Sequence, residues 1–246
     1  MSKWVTEYVD LEDARIAYRQ YGAGPTLLLL HGNSSNKGTF AEYQTTHFPM
    51  FHTVAIDSRG HGQSISNDTE YSIGQYADDV IALCKVKGFT EAYVIGYSDG
   101  GNIALHLASK APMIFKRIVA ISPNYLASGL TDGALRFIRA TAKTLVVLGR
   151  LGLPTRKAVM RFNLMLADIG ITAEELSRIQ TNVRILYAEN DLIKEEHIQE
   201  MGRLIPNADI RKISHSNHMT IFYKSETIDD IHEFLGAKER SAKAER

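Results

Sequence analysis

A serine flanked by glycines lies in the first half of the chain, in the G-x-S-x-G pattern of residues 96–100. Residues 92–95 before it are apolar and typical of a buried strand, whereas residues 101–108 after it are rich in helix formers. A sharp turn from strand to helix strains the serine backbone and turns its hydroxyl outward. The pattern predicts that Ser98 is a nucleophile, with an ordinary glycine-rich turn as the alternative.

A serine hydroxyl is a poor nucleophile at neutral pH, so it needs a base, and the base needs a carboxylate to orient it. In an open parallel sheet such groups collect beyond the carboxyl ends of the strands. Asp191 follows a predicted strand at 183–187 after a short turn, which makes it the preferred carboxylate. Glu189 is the alternative, and Asp209 is excluded because it opens its strand.

Two histidines follow the last predicted strand, and either could be the base. We favour His218, because the apolar residues 219–222 directly after it could anchor its loop on the core. His215 remains the alternative. The two could also form a metal pair, but no third ligand of suitable spacing stands nearby, so no metal and no cofactor are expected.

The strand predicted at 26–30 runs into a turn containing Gly32, where the backbone can present an N–H to the site. The backbone N–H groups of Asn33 and Asp99 are the candidate oxyanion donors, although an ordinary Asn/Ser-rich turn would have the same composition. The side chains of Asp99 and Tyr97 are candidate substrate contacts. The Asp99 carboxylate could meet a cationic group of a substrate, or it could face solvent or cap the following helix.

Residues 57–64 (DSRGHGQS) combine three residues capable of charge with two glycines. This composition indicates a tightly hydrogen-bonded turn with a structural role rather than direct ligand contact. His61 is not favoured as the base, because it precedes the nucleophile and has no identifiable carboxylate partner.

Strand-length apolar runs alternate with helix-length segments along most of the chain, which favours an α/β fold with a mostly parallel sheet. The eight predicted strands span residues 5–9, 15–19, 26–30, 53–56, 92–95, 117–121, 183–187 and 209–213. The predicted helices span residues 72–87, 101–110, 195–204 and 227–235.

Residues 123–182 break this rhythm with amphipathic stretches and no convincing strand. We interpret them as a helical lid inserted after the sixth predicted strand, with residues 1–122 and 183–246 forming the core; a second packing layer is the alternative. The segment carries eight Lys/Arg against four Asp/Glu. This excess favours a solvated helix face, with attraction of an anionic substrate as the other interpretation.

The whole chain of 246 residues is neutral, with 28 Lys+Arg and 28 Asp+Glu. We therefore expect a small-molecule substrate, with no nucleic-acid partner and no membrane partner. The N-terminus lacks the apolar run of a secretory signal, so a cytoplasmic location is expected. The single cysteine, Cys84, is expected to be a buried and inert thiol, and residues 237–246 are expected to form a frayed tail.

Together these motifs resemble the α/β-hydrolase superfamily, in its serine carboxylesterase-like branch. The resemblance rests on His31-Gly32, on the DxRGHGxS run of residues 57–64, on the turn around Ser98, and on the order Ser98, Asp191, His218. It implies an eight-stranded sheet flanked by helices, a lid after strand six, and metal-free acyl transfer. Ala188 and Asn217 stand where family members often carry glycine.

The resulting hypothesis is a serine hydrolase that cleaves a small ester or related acyl bond through a covalent acyl-enzyme. A carbon–carbon bond hydrolase or a cofactor-free haloperoxidase-like enzyme is the alternative within the superfamily. A non-catalytic binding protein on a hydrolase fold is the alternative of another class.

Overall fold

The alternation of apolar side chains in the central strands places them on both faces of one sheet. In the strand at Thr26–Leu30, Leu28 and Leu30 pack into one apolar cluster, whereas Leu27 and Leu29 pack into a second cluster on the opposite face. A strand that is apolar on both faces requires a covering layer on each side. The sequence therefore produces a three-layer arrangement, which a computed structural model describes over residues 4–236.

The sheet contains all eight predicted strands, so the α/β prediction is confirmed. Its strands are β1 (Glu7–Asp10), β2 (Ala14–Tyr21), β3 (Thr26–Leu30), β4 (His52–Ile56), β5 (Ile65–Ser66), β6 (Ala92–Tyr97), β7 (Phe115–Ile121), β8 (Asn182–Asn190) and β9 (Ala208–Asn217). The spatial order is β1-β2-β4-β3-β6-β7-β8-β9, with β5 paired to β2. In this spatial order, the neighbouring strands from β4 through β3, β6, β7 and β8 to β9 pair in parallel. The pairs β1–β2, β2–β4 and β2–β5 are antiparallel. The two-residue strand β5 was not predicted.

The helices are α1 (Ile73–Lys87), α2 (Asp99–Lys110), α3 (Asp132–Arg150), α4 (Arg156–Leu164), α5 (Ala173–Ser177), α6 (Glu195–Leu204) and α7 (Ser225–Leu235). The four predicted helices correspond to α1, α2, α6 and α7 within a few residues at each end, and three further helices lie between residues 123 and 182. Helices α1, α2 and α6 contribute to one apolar cluster, and α7 contributes to the other. Cys84 of α1 is fully buried, and burial raises the pKa of its thiol to about 12.

Helices α3, α4 and α5 all lie in the segment 123–182, between β7 and β8. The Thr131 side chain caps α3 by accepting a hydrogen bond from the Ala134 N–H. Helix α3 buries Ala134, Ile138 and Ala142, which follow one another at helical spacing on a single face. The predicted tail at 237–246 lies outside the described residues. No helix within residues 4–236 is long and apolar enough to cross a bilayer.

Candidate active site

Ser98 lies at the turn from β6 into α2 with φ 55° and ψ −119°, a conformation that is costly for a residue with a side chain. Its N–H donates to the Ile121 carbonyl, which holds the turn against β7. The flanking glycines are required by packing. A Cβ on Gly96 would lie 2.1 Å from the Gly100 carbonyl oxygen, and one on Gly100 would lie 2.0 Å from the Leu30 carbonyl oxygen.

A chain of hydrogen bonds links Ser98 to two side chains from other strand ends. His218 Nε2 lies 3.1 Å from Ser98 Oγ, and His218 Nδ1 lies 2.6 Å from Asp191 Oδ1. Because a carboxylate can only accept, Nδ1 carries the proton and Nε2 is left to accept from the serine hydroxyl. The structure thus brings together the three residues that the sequence analysis selected.

Asp191 is held by several donors in a nearly buried position. Ser122 Oγ donates to its Oδ2 at 2.6 Å, and the Ala188 N–H donates to the same oxygen at 2.9 Å. Burial by itself raises the pKa of Asp191, but the hydrogen bonds from His218, Ser122 and Ala188 outweigh it and hold that pKa below its ordinary value. The carboxylate therefore stays charged and keeps the His218 tautomer fixed. Ala188 acts through its N–H, so this position needs no glycine.

The two alternative residues lie together outside this chain of contacts. Glu189 and His215 are both exposed, and the Glu189 carboxylate accepts from the His215 backbone N–H at 2.7 Å. His215 adopts a positive φ of 49°, whereas Asn217 does not. Asn217 instead shapes the His218 turn with its side chain, whose oxygen accepts from the backbone N–H groups of Met219 and Thr220.

Tyr97 holds the His218 loop in place. Its hydroxyl donates to the His218 carbonyl at 2.7 Å, and its ring lies 5.5 Å from the His218 ring, centroid to centroid. The hydroxyl of this candidate substrate contact is thus already engaged in holding the loop, although the side chain also lines the cavity over Ser98.

The loop after β3 approaches the serine closely enough to supply an oxyanion donor. A Cβ on Gly32 would lie 3.1 Å from Ser98 Cβ. His31 fixes this loop, because its Nδ1 donates to the Gly32 carbonyl and its Nε2 accepts from the Ser58 N–H. Within residues 4–236, the backbone N–H groups of Asn33 and Asp99 donate to no backbone carbonyl.

The Asp99 carboxyl neither faces solvent nor caps α2. It is 8% exposed, and its Oδ2 accepts from the Asn33 side-chain amide at 2.9 Å. Burial raises the pKa of Asp99 to about 6, opposed by the Asn33 hydrogen bond and by nearby His218. Its Oδ1 accepts no hydrogen bond from the described side chains, and Asp99 and Ser98 line the same small cavity.

Two cavities adjoin Ser98. The larger, of about 470 Å³, also reaches Gly32 and His218. Its apolar walls include Tyr97, Phe137, Phe162, Met165, Leu192 and Phe222. The smaller, of about 40 Å³, contains Asp99 and Asn102. A further cavity, of about 700 Å³, lies away from Ser98, between residues 69–71 and the α3–α4 turn.

The turn at 57–64 is hydrogen-bonded throughout, as its composition suggested. The Asp57 carboxylate is fully buried and accepts from the Lys37 ammonium at 2.7 Å, from the Lys37 N–H and from the Gln63 N–H. Arg59 contacts Asp79 and two further carboxylates. His61 donates through Nδ1 to the Arg59 carbonyl, and burial together with neighbouring His31 lowers the pKa of His61 to about 3.

Comparisons with known proteins agree with this architecture. The sequence profile described as alpha/beta hydrolase fold matches residues 25–140, which include both the Ser98 turn and the Asp57 turn. The fold superposes with a TM-score of 0.74 on an N-acyl homoserine lactone degrading enzyme that is 26% identical, over 93% of this chain and 100% of the other. The chain belongs to the α/β-hydrolase superfamily.

Two further similarities within the α/β-hydrolase superfamily concern one activity. The chain is 32% identical over 118 residues to 2-(acetamidomethylene)succinate hydrolase of Mesorhizobium japonicum, across 48% of this chain and 42% of the relative. A crystal structure of E-2-(acetamidomethylene)succinate hydrolase is 21% identical, with a TM-score of 0.79 over 95% of this chain and 100% of that one. The chain thus spans less than half of the curated relative by sequence, and the structural likeness shows the fold.

The sequence analysis of this α/β-hydrolase chain missed two residues that hold the site, Ser122 and Arg161, and one that holds the Asp57 turn, Lys37. Ser122 is the first residue after β7, so the strand-end rule that selected Asp191 would also have selected it. Lys37 gives no sequence signal of its pairing with Asp57. Arg161 of α4 accepts from the Asn33 amide through its carbonyl and donates to the Gly60 carbonyl through its guanidinium. It thereby ties the inserted helices to the loop beside Ser98.

Proposed function

We propose that this protein is a serine hydrolase of the carboxylesterase-like branch, which cleaves a small ester or related acyl bond through a covalent acyl-enzyme at Ser98. The observation that carries the proposal is the hydrogen-bonded chain from Ser98 Oγ through His218 to Asp191. No metal and no cofactor take part in the proposed reaction.

In the proposed mechanism, His218 Nε2 accepts the Ser98 proton as Oγ attacks the substrate carbonyl. Asp191 keeps Nδ1 protonated and stabilises the imidazolium that forms. The backbone N–H groups of Asn33 and Asp99 stabilise the oxyanion of the tetrahedral intermediate. His218 then protonates the leaving group and activates the water that releases the acyl product.

The residues 123–182 serve in this proposal as a lid on the core formed by 1–122 and 183–246. Phe137 from α3, Phe162 from α4, and Met165 directly after α4 lie in the wall of the cavity over Ser98. An apolar wall of this kind suits the acyl group of a substrate.

The test uses a short p-nitrophenyl ester and a fluorophosphonate probe. We expect Ser98→Ala to abolish both turnover and labelling, whereas Ser128→Ala, an exposed serine outside the site, leaves both unchanged. Equal turnover by the two variants would refute the nucleophile. Folded wild-type protein that the probe does not label would instead favour a non-catalytic binding protein.

The same assay separates the reaction classes. A panel pairs the ester with a β-diketone substrate and with a halide oxidation assay, each measured on wild-type protein and on Ser98→Ala. We expect Ser98-dependent turnover of the ester. Turnover of the diketone alone would favour a carbon–carbon bond hydrolase, and oxidation alone would favour the haloperoxidase-like alternative.

The open oxygen of Asp99 supports a second candidate, the recognition of esters that carry a cationic group. A substrate ammonium in the smaller cavity would pair with Oδ1 while Asn33 holds Oδ2. We expect an aminoacyl ester to be cleaved faster than its des-amino analogue, and Asp99→Asn to remove the difference. Equal rates for the two esters in the wild-type protein would exclude recognition of the amine.

A further inference from the structure

Positive charge is concentrated in the helix pair α3–α4, although the whole chain is neutral. Residues 133–160 contain no Asp or Glu. Their Lys and Arg residues are Arg136, Arg139, Lys143, Arg150, Arg156 and Lys157, and all six are exposed. Within residues 4–236, none of these six has an ion-pair partner, so a neutral chain carries an uncompensated basic surface here. We call this element, residues 132–164, the basic hairpin.

Four of the cations form a stripe along one face of α3. Arg136, Arg139, Lys143 and Arg150 follow one another at spacings of three, four and seven residues, which places them on the same side of the helix. Like charges three and four residues apart destabilise a helix by their repulsion. The arrangement therefore favours an anionic partner that neutralises the stripe.

The start of α4 also carries positive charge where a helix does not favour it. Arg156 and Lys157 occupy its first two positions, and no acidic residue lies in that first turn. The N-terminal end of a helix carries partial positive charge and favours anions rather than cations. The hairpin tip therefore adds a second uncompensated positive site next to the stripe.

Exposed apolar side chains are interspersed with these cations. Val147 is exposed on α3, and Leu151 and Leu153 are 75% and 51% exposed at the tip. Phe137, next to Arg136, is exposed and also lies in the wall of the cavity over Ser98. Aliphatic side chains among lysines and arginines suit a bilayer interface, where the apolar groups enter the headgroup region and the cations meet anionic lipids.

We propose that the basic hairpin docks on an anionic lipid surface, with the α3 stripe and the leucine tip against the headgroups. This proposal does not depend on the reaction at Ser98. It places the mouth of the larger cavity, at Phe137, next to the lipid. It also departs from the expectation of no membrane partner, because that expectation used the net charge of the whole chain.

Co-sedimentation with vesicles tests the proposal on the full chain at low ionic strength. We expect binding to vesicles of phosphatidylcholine with about one third phosphatidylglycerol, little binding to pure phosphatidylcholine, and loss of binding as salt is added. The double change Arg139→Glu with Lys143→Glu should weaken the binding by about tenfold or more. Leu151→Ser should weaken it as well, through lost apolar insertion.

The matched control is Lys85→Glu with Arg203→Glu, which changes the net charge equally at exposed positions outside the hairpin. Circular dichroism on each variant establishes that it is folded. No preference of the wild-type protein for anionic vesicles, or an equal loss in the control, would overturn the proposal. So would tighter binding to a short DNA duplex that Leu151→Ser leaves unchanged, because a nucleic-acid partner has no need of the apolar tip.

Discussion

Two clusters of buried polar side chains lie beyond strand ends in this molecule, one around Asp57 after β4 and one around Asp191 after β8. Both carboxylates are almost fully buried, and both accept at least three hydrogen bonds. They differ in the partner that compensates the charge. Asp57 pairs with the ammonium of Lys37, whereas Asp191 pairs with the imidazole of His218.

This difference decides what each cluster can do. A lysine beside a carboxylate remains charged and closes the cluster on itself, so the Asp57 turn can only stabilise the fold. A histidine can pass a proton through its second nitrogen, and that nitrogen faces Ser98. His61, in the first cluster, makes no hydrogen bond to a carboxylate within residues 4–236, and its pKa is lowered. The Asp57 turn therefore has the more distinctive sequence of the two, but its geometry does not support proton transfer.

Replacing each of these two histidines by alanine gives the largest expected effect on kcat. We expect His218→Ala to lower kcat by about 10⁶-fold, because the proposed general base is lost while the fold remains. His61→Ala should do the reverse, lowering the free energy of unfolding by about 2 kcal/mol through a cavity and leaving kcat within a few fold. Ester turnover and urea unfolding of both variants measure the two effects. A loss of kcat in folded His61→Ala would break the distinction between the clusters.

Neutralising each carboxylate gives the next largest effect. Asp57→Asn should lower the free energy of unfolding by about 3–5 kcal/mol, because it leaves the buried Lys37 ammonium without its counter-charge. Asp191→Asn has no buried cation to strand, so its main effect should fall on kcat. Urea unfolding with ester turnover distinguishes them. The control Lys37→Met with Asp57→Leu, which removes the pair together, should recover part of the stability lost in Asp57→Asn.

The sequence predicted those parts of the site that depend on position along a single strand. Ser98 and Asp191 follow strands that the apolar pattern identifies, and His218 follows the last one. The direction of the Asp99 side chain could not be predicted, because it is set by Asn33, which is in turn held by the Arg161 carbonyl of α4. Contacts of this kind join segments far apart in sequence, and no local pattern records them.

The same reasoning applies to the fold. Eight strands follow from alternating or continuous apolar runs, but Ile65–Ser66 is too short to show either period and is defined only by its pairing with β2. The extra length of β8 and β9 has a similar origin. Their last paired residues, Asn190 and Asn217, are polar and belong to the site loops as much as to the sheet.

Asp99 differs from Asp191 in its pKa, which is raised in Asp99 and lowered in Asp191. A carboxyl whose pKa is raised in the folded state binds its proton more tightly there, so stability falls as pH rises from 3.8, its ordinary value, to about 6. Asp99→Asn removes this penalty. We expect the variant to be more stable than wild type by about 2–3 kcal/mol at pH 8.

At pH 4 the gain from Asp99→Asn should vanish, because the wild-type carboxyl is then protonated. Urea unfolding across this range measures the trend. Asp191→Asn serves as the opposite case, since a lowered pKa contributes stability above the ordinary value that is lost as pH falls. A stability difference for Asp99→Asn that does not change with pH would contradict the burial argument.

The smallest expected effect concerns Ser122, the neutral donor that Asp191 has in place of a cation. Ser122 has φ 51°, a strained conformation for a residue with a Cβ, so alanine keeps the strain of the serine whereas glycine removes it. We expect Ser122→Gly and Ser122→Ala to lower kcat by a similar amount, about tenfold, with KM unchanged, because each removes the same hydrogen bond to Oδ2. The glycine variant should be more stable than the alanine variant by about 1 kcal/mol, because only glycine relieves the backbone strain. A wild-type kcat in Ser122→Gly would show that the backbone N–H of Ala188 holds Asp191 without the Ser122 hydroxyl. The neutral donor to Asp191 Oδ2 that matters for activity would then be the peptide backbone alone.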